Sequence, residues 1–273
     1  MHLRWIATLV LACTLSAVSS AQPPAPDAGI IGIGHIAYRA SDFDREIAFL
    51  GKLGFEQSFV IANDGKPMEA FVKINDRQFF EIYAQTNPAQ PLGWMHVCYE
   101  AGDLNALYKF LAEGGLKPSA VRKAGAGNLI SSTNDPDGRV TEFTQYMPGS
   151  RHTLDRGQHL GAHRVATELL GFNLTAANFV AEKQFFIDLG FEAQEAGANV
   201  RFTALGAPGL HIELLPARRG LQPQVLFPVA DARQTEKQLK EAGLAAERNG
   251  RLVFVRDPDG NAFVFLETGA KNK

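Results

Sequence analysis

The sequence of apolar and polar positions predicts one recurring structural unit along the chain. It begins with a strand over residues 31–40 and a helix over residues 42–53, whose apolar residues Ile47, Leu50 and Leu53 share one face. Turn signals then separate three short apolar runs, which predict strands over residues 57–62, 68–74 and 78–83. The predicted unit is therefore strand, helix, strand, strand, strand.

Helix signals support this order and show that it returns. Asp42 or Ser41 is the expected N-cap of the first helix, and Gly54 is its expected stop. Residues 94–146 repeat the whole unit, with a helix over residues 103–113 that ends at a pair of glycines. The first half of the chain thus holds two copies.

Three short motifs of the first half recur in the second half, which indicates an internal duplication. The motifs at residues 53–56, 111–116 and 135–138 return at residues 189–192, 239–244 and 257–260. The offset shrinks from 136 to 122 residues along the chain, so the second copy has shorter loops. We expect two domains at residues 30–148 and 169–268, a connector at residues 149–168, and short flanking segments at residues 22–29 and 269–273.

The first 21 residues predict an export signal. Arg4 precedes an apolar run from Trp5 to Ala12, and small residues up to Ala21 offer a cleavage site before a proline-rich stretch. The run falls short of the roughly 20 apolar residues of a membrane-spanning helix. We therefore expect an exported protein, periplasmic or secreted, with no integral membrane span. A lipid anchor at Cys13 is the alternative.

Composition narrows the class of function. The formal net charge is −2, and cleavage after Ala21 would remove one cation, Arg4, and no acid, giving −3. This balance predicts no nucleic-acid partner. Of the two cysteines only Cys98 would remain, so no intrachain disulfide is possible. The remaining length suffices for two domains that each bury a core of their own.

Two histidines and two glutamates stand at matched places in the repeated unit. His35 precedes Glu81 by 46 residues, and His96 precedes Glu142 by the same number. Because one copied unit places its side chains in the same way, both copies should direct a nitrogen and an oxygen at one point. Two imidazoles and two carboxylates predict a site for one divalent metal ion, such as Ni, Co, Zn, Fe or Mn.

These residues resemble those of the vicinal oxygen chelate family, which includes glyoxalase I, extradiol ring-cleaving dioxygenases, epimerases and bleomycin-resistance proteins. The resemblance extends over nearly the whole chain after the signal. It implies an α+β fold in which tandem βαβββ modules pair into two funnel-like domains with mixed sheets. It also implies that the first and last strands of each module carry the metal ligands, where His35, Glu81, His96 and Glu142 stand.

The resemblance implies that a small-molecule substrate chelates the metal through two adjacent oxygens. A carbonyl bound in this way makes the neighbouring C–H acidic enough for Glu81 or Glu142 to remove the proton. The leading hypothesis is thus a glyoxalase-like lyase or isomerase. The export signal argues against the cytosolic glutathione adduct of glyoxalase I itself. Four units in one chain are compatible with a monomer or a homodimer.

Two other functions stay open. An Fe(II) extradiol dioxygenase needs two histidines and one carboxylate, but the resemblance would place its iron in the second domain, with a tyrosine at the position of Ser132. A non-catalytic binding protein is the third possibility, although such relatives generally lack the metal ligands. Counting from the helix starts, three of the four ligand positions of the second domain hold Gly171, Gln224 and Val264, so we expect no metal there.

Strand alternation adds residues to the predicted pocket. Cys98, Tyr83 and Thr144 each lie two residues from a predicted ligand and so share its face, although core filling is the favoured role of Cys98. His152 lies in the connector with two further histidines, and we expect a solvated segment there.

Overall fold

A computed structural model of the chain describes residues 29–269. The predicted signal sequence, the alternative anchor Cys13 and most of the two flanking segments lie outside these residues. Between residues 29 and 269, no helix is long and apolar enough to cross a membrane.

The first half forms a mixed eight-stranded sheet with two helices, as the repeated unit predicts. The helices are α1 (Phe43–Lys52) and α2 (Leu104–Glu113). The strands are β1 (Ile30–Ala40), β2 (Glu56–Asn63), β3 (Lys66–Lys73), β4 (Phe79–Ala84), β5 (Gly93–Ala101), β6 (Arg122–Lys123), β7 (Leu129–Asn134) and β8 (Val140–Gln145). Their spatial order is β2-β3-β4-β1-β5-β8-β7-β6, so each module contributes four adjacent strands.

The second half repeats this architecture after a connector that contains the short helix α3 (Arg151–Leu154). Its helices are α4 (Phe179–Asp188) and α5 (Ala232–Glu241). Its strands are β9 (Gly171–Ala176), β10 (Glu192–Ala196), β11 (Asn199–Ala204), β12 (Ala207–Pro216), β13 (Gln224–Val229), β14 (Glu247–Asn249), β15 (Leu252–Arg256) and β16 (Ala262–Glu267). The order β10-β11-β12-β9-β13-β16-β15-β14 matches the first sheet strand for strand, which confirms the predicted fold class.

Equal registers within the two modules of the first sheet place the four candidate ligands. His35 on β1 is level with Phe79 on the parallel strand β4, and His96 on β5 is level with Val140 on the parallel strand β8. Each glutamate lies two residues beyond its level partner, and residues two apart on a strand share a face. Because β1 and β5 are neighbours at the middle of the sheet, all four side chains meet there.

The helices begin where the sequence predicts. Asp42 caps α1 by accepting a hydrogen bond from the Arg45 amide at 3.1 Å, and Asp103 caps α2 by accepting from the amides of Asn105 and Ala106. Gly54, with φ of 83°, directly follows the C-cap of α1, in the left-handed conformation that glycine adopts without strain.

Each domain also forms hydrogen bonds with the segment that leads into a helix of the other. Asp259, in the Asp-Pro-Asp-Gly turn of the second domain, accepts hydrogen bonds from the amide of Ser41, at 2.7 Å, and from its hydroxyl. Asp137, in the matching turn of the first domain, accepts from the amides of Ala177 and Asn178 at 2.7 and 3.0 Å. The repeated turn motif therefore joins the domains at two related places.

The two domains share one hydrophobic core. Buried side chains of both sheets belong to a single cluster, in which Tyr38 stacks on Phe263 and Phe55 stacks on Phe227 with ring centroids 6.0 and 5.7 Å apart. Each half is long enough for a core of its own, and the structure joins the two. The apolar faces of the helices and sheets are buried against the other domain as well as within their own.

Buried carboxyl groups lie beside both of these interdomain contacts. Glu182 on α4 is 1% exposed and forms an ion pair with Arg139 at 3.1 Å. Glu46 occupies the same place on α1, is equally buried, and has no hydrogen-bond partner for either oxygen among the described residues. Burial, with smaller contributions from Asp257 and Asp259, raises the pKa of Glu46 from its usual 4.5 to about 9.

Glu46→Gln is expected to stabilise the protein increasingly as pH rises from 5 to 9. In this range folded Glu46 keeps a proton that the unfolded chain has released, so the wild type loses up to about 1.4 kcal/mol of unfolding free energy per pH unit. Glutamine removes this dependence. Urea unfolding of both proteins across the range measures the difference, and a difference that stays constant with pH would contradict the assignment.

Candidate metal centre

Three ligand atoms form an equilateral triangle at the centre of the first sheet. The Nε2 atoms of His35 and His96 are 3.1 Å apart, and Oε2 of Glu81 lies 3.1 Å from each of them. Glu142 approaches more loosely, with Oε1 at 3.7 Å from His35 Nε2. The structure thus brings together all four residues that the sequence singled out, with Glu81 in the tightest part of the group.

The triangle has the dimensions of one face of a metal-coordination octahedron. With metal–ligand distances of about 2.1–2.2 Å, adjacent ligands of an octahedral ion are about 3.0–3.1 Å apart. Oε2 of Glu81 is fully buried and, despite the two short contacts, forms no hydrogen bond of acceptable angle. A buried oxygen between two imidazole nitrogens is therefore left for a cation, and the residues fit a divalent metal.

Electrostatics of the group favour a charged Glu81. Burial raises its pKa, but the neighbouring His35 and His96 outweigh burial and hold the pKa well below its usual range. Burial also lowers the pKa of His35, yet the Glu81 carboxylate beside it gives a net increase. Glu69 shows the opposite balance, because burial first and then the charge of Glu81 raise its pKa to about 8.

A cavity of about 270 Å³ opens onto this group. That volume is close to the lower limit of roughly 300 Å³ for small-molecule pockets. It admits a small ligand beside the metal position. Residues of its wall include His35, Glu81, Glu142, Glu69, Phe71, Tyr83, Thr144, Tyr146, His152 and Arg122.

The predicted pocket residues are divided between wall and core. Tyr83 and Thr144 line the cavity, whereas Cys98 is fully buried and forms no part of its wall. The ligand atom of Cys98 lies within 4.8 Å of those of His35 and Glu142, but burial first of all raises the pKa of the thiol well above its usual value. A protonated thiol is a poor metal ligand, which agrees with core filling.

His152 is a cavity residue, so its expected place in a solvated segment is wrong. Its side chain is 3% exposed and packs edge-on against Phe59, Phe71 and Phe79. Burial, more than any charge, lowers its pKa to about 3, so the ring is neutral. Its Nδ1 lies 2.9 Å from Nδ2 of Asn128.

The hydrogen-bond network fixes which nitrogen of His152 carries the proton. Oδ1 of Asn128 accepts from the Met147 amide at 3.2 Å, which turns the Asn128 NH₂ group toward His152. His152 Nδ1 therefore accepts, and the proton of the neutral ring resides on Nε2, which has no partner among the described residues.

A buried lysine explains why the connector packs against the sheet. Lys73 on β3 is fully buried, and its ammonium group donates to Oδ2 of Asp155 at 3.0 Å and to the Gln158 carbonyl at 2.8 Å. It also contacts Asp76 at 2.8 Å. Because a buried ammonium needs such partners, the segment after α3 is held on the first domain, which places His152 in the cavity.

Glu69, Tyr146 and Arg122 are cavity residues that the sequence did not reveal. Glu69 lies opposite Tyr83 on the neighbouring strand, so only a known β3–β4 register would have placed it in the pocket. Arg122 lies on a two-residue strand with no apolar pattern of its own. Tyr146 lies just beyond β8, where its hydroxyl donates to the Arg77 carbonyl at 2.9 Å.

Sequence comparison agrees with the fold and the site. The profile of the Glyoxalase/Bleomycin resistance protein/Dioxygenase superfamily matches residues 32–143, which contain all four candidate ligands. The second sheet repeats the same topology. The first domain belongs to this superfamily. No curated protein sequence matches it significantly.

Several solved structures are similar to this structure over most of the chain. The 2,3-dioxygenase LapB from Pseudomonas sp. KL28 has a TM-score of 0.69 at 15% identity. The alignment covers 89% of this chain and 93% of the LapB chain. The Mn(II)-bound glyoxalase from Novosphingobium aromaticivorans has a TM-score of 0.64 at 18% identity, with coverages of 87% and 82%. A variant of homoprotocatechuate 2,3-dioxygenase from B. fuscum in complex with HPCA has a TM-score of 0.66 at 15% identity. The alignment covers 90% of this chain and 73% of the dioxygenase chain.

The second domain does not repeat the group of four candidate ligands. Its registers place Gly171, Glu213, Gln224 and Val264 at the positions of His35, Glu81, His96 and Glu142. A Cβ atom at Gly171 would lie 1.7 Å from the His211 carbonyl oxygen, so no side chain fits there. The remaining Glu213 accepts a hydrogen bond from Asn199 at 2.9 Å.

Proposed function

We propose that the first domain holds one divalent metal ion and acts on a small molecule that chelates this ion through two adjacent oxygens. The 3.1 Å triangle of His35, His96 and Glu81 carries the proposal. Glu142 would complete the ligand set, which suits Ni, Co, Zn, Fe or Mn. When bound, such an ion draws electrons from a carbonyl oxygen and acidifies the adjacent C–H.

The site geometry supports proton transfer, with different tasks for the two glutamates. The Glu81 side chain is 6% exposed and tightly placed between the imidazoles, so it is best suited to hold the ion. The Glu142 side chain is 19% exposed, lines the cavity and lies farther from His35, so its carboxylate can reach a proton of a ligand in the cavity. Glu142 is the proposed base.

Glu69 adds a third carboxyl group to the same cavity. It lines the same cavity, outside the triangle of ligand atoms, and burial and then the charge of Glu81 raise its pKa to about 8. Because of its raised pKa, this carboxyl group is the proposed proton donor to a ligand in the cavity. Proton removal by Glu142 and proton return by Glu69 would together make up a lyase or isomerase reaction of the glyoxalase type.

Ring cleavage by an Fe(II) dioxygenase is the second candidate, and the comparisons favour it over proton transfer. Two of the three similar structures named above are dioxygenases, although 15% identity establishes their common fold and not their reaction. The triangle is also a set of two histidines and one carboxylate, as non-haem iron enzymes use. His152 and Tyr146 furnish an imidazole and a phenol in the cavity, in place of those absent near Ser132.

Proton exchange on a carbonyl compound separates the two candidate functions, and Glu142→Gln tests the proposed base. We expect the wild type loaded with Ni, Co, Zn or Mn to exchange the protons beside the carbonyl of hydroxyacetone with deuterium from solvent, as followed by NMR. Loss of the base should slow this exchange by about 10²–10⁴-fold. Glu213→Gln, at the place of Glu81 in the second domain, is the matched control and should leave exchange unchanged.

Other results would redirect the proposal. Equal exchange in Glu142→Gln and the wild type would remove Glu142 from the mechanism. Oxygen uptake and ring opening of catechol by the iron-loaded protein, without proton exchange, would establish the dioxygenase instead. Failure to bind any of these metals would leave the cavity as a binding pocket without turnover.

A further inference from the structure

A single permanent positive charge lies in the cavity wall. Arg122 is the only lysine or arginine among the residues that form this wall, which also contains the carboxyl groups of Glu69, Glu81 and Glu142. Arg122 is exposed on β6, and no described residue forms an ion pair or hydrogen bond with its guanidinium group. The charge is therefore free to meet a ligand.

Strand pairing gives the position of Arg122 relative to the metal centre. Arg122 is level with Ile130 on β7, and Ile130 is level with Thr144 on β8. These three residues form one row on one face of the sheet, and all of them line the cavity. Two strand spacings separate the ends of the row by about 10 Å. Thr144 lies two residues from Glu142, so the row leads from the metal centre to Arg122.

The wall changes in character along this direction. Carboxyl groups and His35 surround the metal position, whereas the side chains of Ile61, Ile130 and Phe71 supply apolar surface to the same cavity. The carboxylates of Glu81 and Glu142 would cancel the charge of a divalent ion. An additional anionic group on a ligand would be repelled near these carboxylates and attracted to the guanidinium group.

We propose that Arg122 binds a carboxylate of the substrate, at the end opposite the two chelating oxygens. This inference rests on the proposed function and names the class of substrate: a small acid with an apolar body and a pair of adjacent oxygens. The planar guanidinium group matches a carboxylate with two parallel hydrogen bonds. A cavity of about 270 Å³ limits the body to about the size of one six-membered ring.

Binding of two matched probes tests this inference. Catechol and 3,4-dihydroxybenzoate both offer two adjacent oxygens, and only the second carries a carboxylate. Their dissociation constants are measured by titration calorimetry on the zinc-loaded protein, because zinc has no redox chemistry and permits no oxidation. We expect the wild type to bind 3,4-dihydroxybenzoate about five- to tenfold more tightly than catechol, as a partly solvated charge pair allows.

Two neighbouring substitutions provide the comparison. Arg122→Gln should abolish the preference for the carboxylated probe and leave catechol binding unchanged. Lys123→Gln removes the same charge from the adjacent residue of β6, which points to the other face and lies outside the cavity wall, so it should keep the preference. Arg122→Lys should restore part of it.

The outcomes separate this inference from the proposed function. A preference that survives in Arg122→Gln, or that is lost equally in Lys123→Gln, would overturn the role of Arg122 while the chelating site stands. If neither probe binds the zinc-loaded wild type, the chelating site itself is refuted, and the carboxylate subsite with it.

Discussion

His35→Ala is expected to abolish stoichiometric metal binding while the protein stays folded. The substitution removes one corner of the 3.1 Å triangle and leaves His96 and Glu81 as an incomplete set. Loss of a residue that only supports a ligand costs roughly 10–100-fold in metal affinity, so loss of a ligand should cost more than about 100-fold. Metal content of protein purified without chelators measures the effect, and thermal unfolding reports the fold.

A histidine of the second domain supplies the control for this experiment. His211 lies on β12, level with Gly171 and near Glu213. In this half of the molecule the other three ligand positions hold no histidine or carboxylate. His211→Ala should therefore retain about one equivalent of the ion that the wild type holds. If His35→Ala also retained it, the proposed metal centre would be wrong.

Arg139→Ala is expected to lower the free energy of unfolding by about 3 kcal/mol or more. Arg139 donates from Nε to Asp135 at 2.6 Å and from Nη1 to the Thr175 carbonyl at 2.7 Å, and it forms the ion pair with Glu182. Burial first of all raises the pKa of Glu182 to about 8, so Asp135 is the buried partner that alanine would deprive of its cation at pH 7. Removing one partner of such a buried pair typically costs about 3–5 kcal/mol.

An exposed arginine shows what the loss of a surface charge alone would do. Arg256 precedes the Asp-Pro-Asp-Gly turn of the second domain, where it donates to the Gly260 carbonyl at 2.7 Å. Arg256→Ala should change stability by less than about 0.5 kcal/mol. Urea unfolding of both variants at pH 7 gives the comparison, and equal losses would mean that the Arg139 network does not hold the domains together.

The meeting of the four candidate ligands could be predicted from the sequence because a duplicated unit repeats its register. Once His35 and His96 are known to begin equivalent strands, the matching spacing to Glu81 and Glu142 implies a common face, and the observed pairings agree. No such signal exists for Glu69. The cross-strand equivalent of Glu69 in the second module is Ile130, so the repeat gives no indication of a carboxyl group there.

The connector and the core could not be predicted because both depend on contacts between distant elements. His152 belongs to no repeated unit, and its burial follows from the placement of the fully buried Lys73 against Asp155. The periodicity of the sequence predicts the apolar face of α1. Periodicity shows that a face is buried and not what covers it, so the contact between Phe49 and Phe263 across the domains was not foreseen.

The reciprocal contacts of Asp259 and Asp137 make the two halves of the molecule depend on each other. Each domain fixes the segment that leads into the first helix of the other. Deletion of the second domain would remove the partner of the Ser41 amide and open the shared core to water. The domain that holds the candidate metal centre therefore depends on the other domain for its fold.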